Sequence, residues 1–140
     1  MKVSEFSEIP GTRAQYRPFI LSFLVRGVQT KVEAEARVSH LFTEWLAQRH
    51  RTPSEDGLDG IVRAETLIWQ GGNRDRPPES VIIGIIESDV HSIFGAGADM
   101  DDATVAPLIH QLAGYVCTHL GANRARVNFG GYIYSIRKQG

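Results

Sequence analysis

Apolar residues come in short bursts divided by polar loops, and the period within each burst is either two or close to three and a half. Val3–Phe6 alternates apolar with polar and is closed by Pro10-Gly11, which predicts a brief strand. Phe19–Val25, "FILSFLV", is almost continuously apolar, as a well-buried strand would be, and Gly27 offers a tight turn. Val32, Ala34, Ala36 and Val38 then alternate with Lys31, Glu33, Glu35 and Arg37, a period of two that predicts a strand with one wet face. Behind Ser39, a candidate N-cap, Leu41, Phe42, Trp45 and Leu46 recur at helical spacing. The alanines and glutamates of Val32–Arg37 equally suit a longer helix. One helix over Thr30–Arg51 would give a ferredoxin-like βαββαβ order, read as a protein with no ligand.

Arg51–Gly60, "RTPSEDGLDG", is a polar linker, after which the signals recur. Ile61–Trp69 predicts a strand, "QGGNRDRPPES" a loop, and Val81–Ile86, "VIIGII", a second buried strand. Ser88-Asp89 reads as a turn and His91–Phe94 as a third strand. Val105, Leu108, Ile109, Leu112 and Val116 then form an amphipathic helix closed by Gly121. Pro107 belongs in a first turn, which starts that helix near Thr104. The two stretches share one order, strand, loop, apolar strand, tight turn, strand, helix. The expected fold is therefore α+β, a single domain made of two βββα units, 3–50 and 60–121. A pseudo-twofold would relate them, with the helices packed on one face of the sheets. The tail, 122–140, alternates through Val127, Phe129, Tyr132 and Tyr134 and adds a strand or hairpin, with Gly130-Gly131 as bulge or turn.

Charge narrows the partners. Fifteen Lys and Arg against sixteen Asp and Glu give a net charge of -1, so no polyanion-binding surface is expected overall. The tail "NRARVNFGGYIYSIRK" mixes arginines with aromatics but lacks the order of an aromatic RNA-binding strand. It reads as an edge strand packing on its own sheet or on a dimer mate. The single cysteine, Cys117, excludes an internal disulfide and fits a reducing compartment. No apolar signal region opens the chain, and no apolar run approaches the roughly 18 residues of a membrane span. A cytoplasmic protein without membrane or nucleic-acid partners is expected.

The candidate chemistry gathers around "SIFGAGADMDD", Ser92–Asp102. Gly95 and Gly97 precede a helix as they would in a phosphate loop, but Asp99, Asp101 and Asp102 would repel phosphate. A calcium loop is excluded because Ala103 and Thr104 stand where further oxygen ligands and a glycine should come. His110 and His119, nine apart on one helix, lack the spacing of a zinc pair, so neither metal nor cofactor is expected. His91 with Asp89 near a turn, and His40 near Arg37 at the first helix start, are the candidates for acid–base work. Cys117 follows apolar Val116 on its helix and reads as a buried small hydrophobe.

"VIIGIIESDVHSIFGAGADMDDATVAPLIHQL", Val81–Leu112, resembles the end of the C-terminal regulatory domain of 2-isopropylmalate synthase and its citramalate and homocitrate synthase relatives. The resemblance lies in an aromatic-Gly-X-Gly step, here Phe94-Gly95-Ala96-Gly97, an acid at Asp99, and a long apolar helix. It implies a pair of βββα units, a homodimer, and a small end-product such as leucine bound near the glycine turns and helix starts. It also implies a partner synthase, since the family's catalytic barrel and metal ligands lie outside these residues. Carried onto this chain, the ligand would meet Gly95, Ala96, Gly97, Ala98 and Asp99. In the first unit "EAEARVSHLFTEW" departs from the family's glycines and puts Arg37 and His40 there instead. Backbone N–H groups at a helix start suit a carboxylate, and Asp99, Asp101 or Asp102 would take an ammonium group. The expected function is a stand-alone module that binds an amino acid or related acid and dimerises. The alternative is a small enzyme, an isomerase or cyclase, using His91, Asp89 or His40 in the same pocket.

Overall fold

A computed structural model of the protein describes residues 5–49, 59–94 and 100–139. The described elements run β1 (Pro18–Leu24), α1 (Lys31–Gln48), β2 (Ile61–Trp69), β3 (Glu79–Asp89), α2 (Val90–Phe94), α3 (Asp102–Leu120), β4 (Arg124–Phe129) and β5 (Tyr132–Arg137). The strands form one antiparallel sheet in the order β2-β3-β1-β4-β5. The fold is α+β, with the helices on one face and an additional C-terminal hairpin at one edge.

The most apolar stretch takes the centre. β1 turns Phe19, Leu21 and Phe23 inward, each fully buried, between Ile86 of β3 and Val127 of β4. α1 adds Ala34, Val38, Leu41 and Phe42 to this core, and α3 adds Val105, Ile109, Leu112, Ala113 and Val116. Among the described residues no polar or charged residue is buried. α1 approaches the sheet at Gly84, where a Cβ would stand 2.5 Å from Val38 Cγ2. Val38 is itself fully buried and has nowhere to move. Gly84→Ala is therefore expected to destabilise the protein by about 1–3 kcal/mol, the usual cost of overpacking. A urea denaturation midpoint lowered at unchanged slope would register it.

Two segments expected as strands are helical, so the halves of the chain do not each supply a βββα set. Val32–Val38 forms the first turns of α1. The buried residues Ala34, Val38, Leu41 and Phe42 sit at i, i+4, i+7 and i+8, while Val32 is exposed. The period of two was an accident of small residues at 34 and 36. The helix start is marked by Thr30, whose hydroxyl accepts the Glu33 amide at 3.2 Å, so Ser39 lies inside the helix rather than capping it. The element order is thus that of the single-helix reading, βαββαβ, with β5 added. His91–Phe94 forms the short α2 instead of a third strand, because the Asp89 carboxylate accepts both the amide and the hydroxyl of Ser92.

α3 begins at Asp102, before the expected Thr104, and Pro107 therefore falls in its second turn. The carbonyl that loses a partner there is that of Ala103, an exposed residue that water can reach. The other end follows expectation. Gly121 at φ 70° ends the helix, and the Ala122 amide donates to the Cys117 carbonyl at 2.9 Å, closing a Schellman motif. Gly130 and Gly131, both at positive φ, make a two-residue hairpin turn between β4 and β5 rather than a bulge. The strand expected at Val3–Phe6 lies largely outside the described residues, and Glu5 and Phe6 are not in a strand.

Candidate functional site

Arg17 stands immediately before the central strand, at the end of the sheet where α3 starts and the β4–β5 hairpin turns. Its carbonyl accepts the Val90 amide at 3.0 Å, tying it to the start of α2. Its guanidinium donates to the Met100 carbonyl at 2.7 Å and to Asp102 Oδ1 at 2.5 Å. The side chain of Arg17 is only 13% exposed, whereas that of Asp102 is 61% exposed. A largely desolvated cation thus meets a carboxylate that still faces solvent.

Around this pair lies a cleft of about 370 Å³, lined by Gln15, Tyr16, Arg17, Pro18, Asp102, Asn128, Phe129, Gly130 and Gly131. The local sequence explains the opening. A type I′ turn needs positive φ at both central residues, which the two glycines supply. A Cβ on Gly130 would stand 3.0 Å from Asp102 Oδ2, so the turn can lie this close to the carboxylate only without a side chain. Asp101 next door caps α3, accepting the Thr104 amide at 2.8 Å. Hydrogen bonds from Thr104, with Arg17 nearby, hold the Asp101 carboxyl below the usual carboxylate range.

The chemistry available here is recognition of adjacent opposite charges. A ligand with a carboxylate beside an ammonium can replace the internal pair, its carboxylate on the guanidinium fork and its ammonium on Asp102. Phe129 and Pro18 supply apolar wall, and Tyr16, 75% exposed, supplies a ring at the mouth. A second cleft, about 410 Å³, lies between α1 and the start of β2 and is lined by Ser39, Phe42, Thr43, Leu46, Asp59, Gly60 and Val62. Among the described residues its lining carries no cationic side chain.

The expected site residues are scattered relative to this cleft. Gly95, Ala96, Gly97, Ala98 and Asp99 lie outside the described residues. Their flanks are described: Phe94 stacks on Phe19 at 6.2 Å with the Arg49 guanidinium 4.8 Å from its ring, and Met100 is held by Arg17. Arg37 donates to the Arg26 carbonyl at 3.0 Å, near the far end of β1. It precedes Trp45, the α1 contact of Phe94, by eight residues, about 12 Å along the helix axis. His40 is exposed and pairs with Glu44 at 3.0 Å, and Tyr115 donates to the other Glu44 oxygen at 3.2 Å. Asp89 is occupied in capping α2, and His91 is half-buried one turn from Phe94. Asp89 and His91 stand together at the junction of β3 and α2, and His40 stands on α1. Among the described residues, Asp102, one of the three acids expected to take an ammonium group, lines the cleft. Arg17 carries no local signal, because its partners stand 83 and 85 residues away.

Two further groups belong to the frame. Cys117 is buried, and burial pushes its thiol up, away from nucleophilic use. His110 of α3 shares a 2.8 Å hydrogen bond with the Tyr134 hydroxyl of β5, and burial lowers the imidazole below its ordinary value. The folded protein therefore holds His110 neutral where the unfolded chain would protonate it. Stability is full above the unfolded value near 6.5 and falls as pH drops through and below it. A Tm that declines between pH 7.5 and 5.5, by less in His110→Phe, is the expected result of thermal denaturation.

No family model matches the sequence, and no curated protein matches it. Among solved structures the chain is similar to a phage SAM lyase in its apo state, at a TM-score of 0.55 and 12% identity over 97% of this chain and 98% of that one. A phage SAM lyase in complex with S-methyl-5'-thioadenosine gives a TM-score of 0.47 and 11% identity over 91% of this chain and 95% of that one. No described helix is long and apolar enough to cross a membrane, and no three potential metal-ligating side chains gather among the described residues. What the chain shares with the apo lyase is its fold, one on which a small-molecule enzyme is built.

Proposed function

We propose that this protein binds a small molecule bearing an amino-acid headgroup in the cleft between Arg17 and Asp102. The observation that carries the reading is the ion pair itself, with its cation 13% exposed and its carboxylate 61% exposed beside a glycine turn that leaves the approach open. The ligand's carboxylate takes the Arg17 fork and its ammonium takes Asp102, so the charge balance inside the cleft is unchanged by binding. Leucine, the type of effector implied by the resemblance of Val81–Leu112, carries this headgroup, and the protein would then act as a dimeric sensor for a partner synthase. S-adenosylmethionine carries it too.

The fold likeness to the phage SAM lyase, which spans 97% of the chain, favours a second form of the same reading, in which the bound molecule is a substrate. The protein would then act on S-adenosylmethionine: the carboxylate oxygen closes on the carbon that bears the sulfonium, the carbon–sulfur bond breaks, and S-methyl-5'-thioadenosine leaves as the neutral thioether beside a lactone of the amino-acid fragment. Calorimetric titration with leucine, 2-keto acids, 2-hydroxy acids and S-adenosylmethionine tests the shared claim. Acids without the ammonium group should bind more weakly than their amino-acid counterparts, and equal affinity for both would remove Asp102 from the site. Chromatography of an incubation with S-adenosylmethionine separates the two forms. Turnover supports the enzyme, and binding without product supports the sensor.

A further inference from the structure

Among the described elements the helices cover one face of the sheet and none covers the other, and the strand register fixes which residues stand on that open side. Across the strands from β2 to β5 one row reads Ile61, Glu87, Ile20, Asn128, Ile133. The next reads Arg63, Ile85, Ser22, Arg126, Ser135. A third carries Glu65, Ile83 and Leu24, continued by the paired Arg124 and Arg137 just beyond Ala125. The middle of this face carries Ile20, Leu24, Ile83 and Ile85. Ile85 is only 7% exposed and the other three are half-buried, while Ile61 and Ile133 at the two margins are 62% and 67% exposed. Trp69, further along β2 on the same side, is 51% exposed. Apolar side chains spread from edge to edge of an uncovered sheet face, between charged neighbours, suit a surface that another molecule covers.

The charges identify that molecule. On the β2–β3 side the face carries Glu65, Glu79 and Glu87 against one cation, Arg63, which already pairs with Glu87 and lies 3.8 Å from Glu65. On the β4–β5 side it carries Arg124, Arg126 and Arg137 with no carboxylate on either strand. A nucleic acid or anionic membrane drawn to the arginines would be repelled by the glutamates. A second copy of this chain meets both flanks. Two sheets stacked face to face about 10 Å apart can be related by a twofold axis parallel to the strands or perpendicular to them. The perpendicular axis lays each strand on its own copy, so the acidic β2–β3 flank meets its own kind and the basic β4–β5 flank likewise. The parallel axis lays β2 over the partner copy's β5, β3 over β4, and β1 over itself.

We infer that two copies of this protein pair through the open sheet face about a twofold axis running along β1. In that pairing Glu65 lies opposite Arg137 and Ile61 opposite Ile133. Ile20 and Leu24 meet their own counterparts at the axis. The stems of Arg124 and Arg126 lie across Ile83 and Ile85, bringing their charged ends towards Glu65 and Glu87. The face is self-complementary in the sense an isologous interface requires. Asn128 alone of these face residues also lines the Arg17 cleft, and the pairing does not rest on the proposed ligand.

Light scattering behind gel filtration, at concentrations from about one to one hundred micromolar, measures the outcome. The chain of 15.5 kDa should elute at twice its mass. Glu65→Arg and Arg137→Glu should each weaken the pairing at least tenfold, and the double variant, in which the same contact re-forms with its signs exchanged, should regain most of it. Far-UV circular dichroism confirms that each variant is folded, and Ile20→Asp, which sets like charges against each other at the axis, should be a folded monomer. Monomeric wild-type protein at one hundred micromolar overturns the inference. So does an oligomer indifferent to both charge reversals, or a double variant no better paired than either single one.

Discussion

Phe19→Ala should cost the protein about 3–5 kcal/mol, the usual range for emptying a buried phenylalanine site. Phe19 is fully exposed in neither direction. It lies on the central strand with zero exposure, opposite Phe129 of β4 and Ser88 of β3, and stacks on Phe94 with an interplanar angle of 27°. Neighbours on three sides belong to different elements, so no single side chain can swing in to fill the space. Domains of this size are stable by about 5–15 kcal/mol, and the variant should lose a large part of that margin. Urea unfolding followed by tryptophan fluorescence is the check. A midpoint within a few tenths molar of wild type would show that Phe19 does not hold the sheet to α2 as described.

Arg17→Ala is the larger test of function, with an expected loss of ten- to a hundredfold in affinity for an amino-acid ligand. Charge-assisted hydrogen bonds contribute about 1.5–3 kcal/mol each, which converts to this range. Arg17 also holds Met100, so a fall in stability accompanies the loss of binding, and Arg17→Lys separates the two. Lysine keeps the charge but not the planar fork, so it should recover part of the stability and little of the affinity. Asp102→Asn leaves Arg17 without its anionic partner while removing the ammonium contact. It should weaken amino acids yet leave the corresponding hydroxy acids largely unaffected. If Arg17→Ala binds as tightly as wild type, the cleft is not the site.

Much of the frame was legible in the sequence. The apolar runs Phe19–Val25 and Val81–Ile86 became the core of adjacent strands, and the helix ending at Gly121 and the tail hairpin were visible in their periodicity and glycines. The first helix was misread for a physical reason. Alanines at 34 and 36 fit period two and period 3.6 equally, and the deciding signal was the pair Thr30 and Glu33, a capping arrangement upstream of Ser39 at the start of the same helix. Of the two charged residues proposed to hold a ligand, Asp102 could be picked out locally, as an acid at a helix start. Arg17 could not, since the ion pair it makes depends on β1, α3 and the β4–β5 turn meeting at one end of the sheet, and no local pattern encodes that meeting. Of the acid–base candidates, His40 lies on α1 paired to Glu44, while Asp89 ends β3 and caps α2, which carries His91.

The claim at the centre of this account is that an amino-acid headgroup sits between Arg17 and Asp102. Nitrogen–proton correlation spectra recorded during titrations with S-adenosylmethionine and with leucine test it most directly, because they report where binding occurs as well as whether it does. The account predicts saturable shifts at Arg17, Asp102, Gly130 and Gly131 with at least one of the two, lost in Asp102→Asn. Spectra unchanged by either compound at millimolar concentration, or shifts gathered instead around Ser39, Thr43 and Gly60, would contradict it.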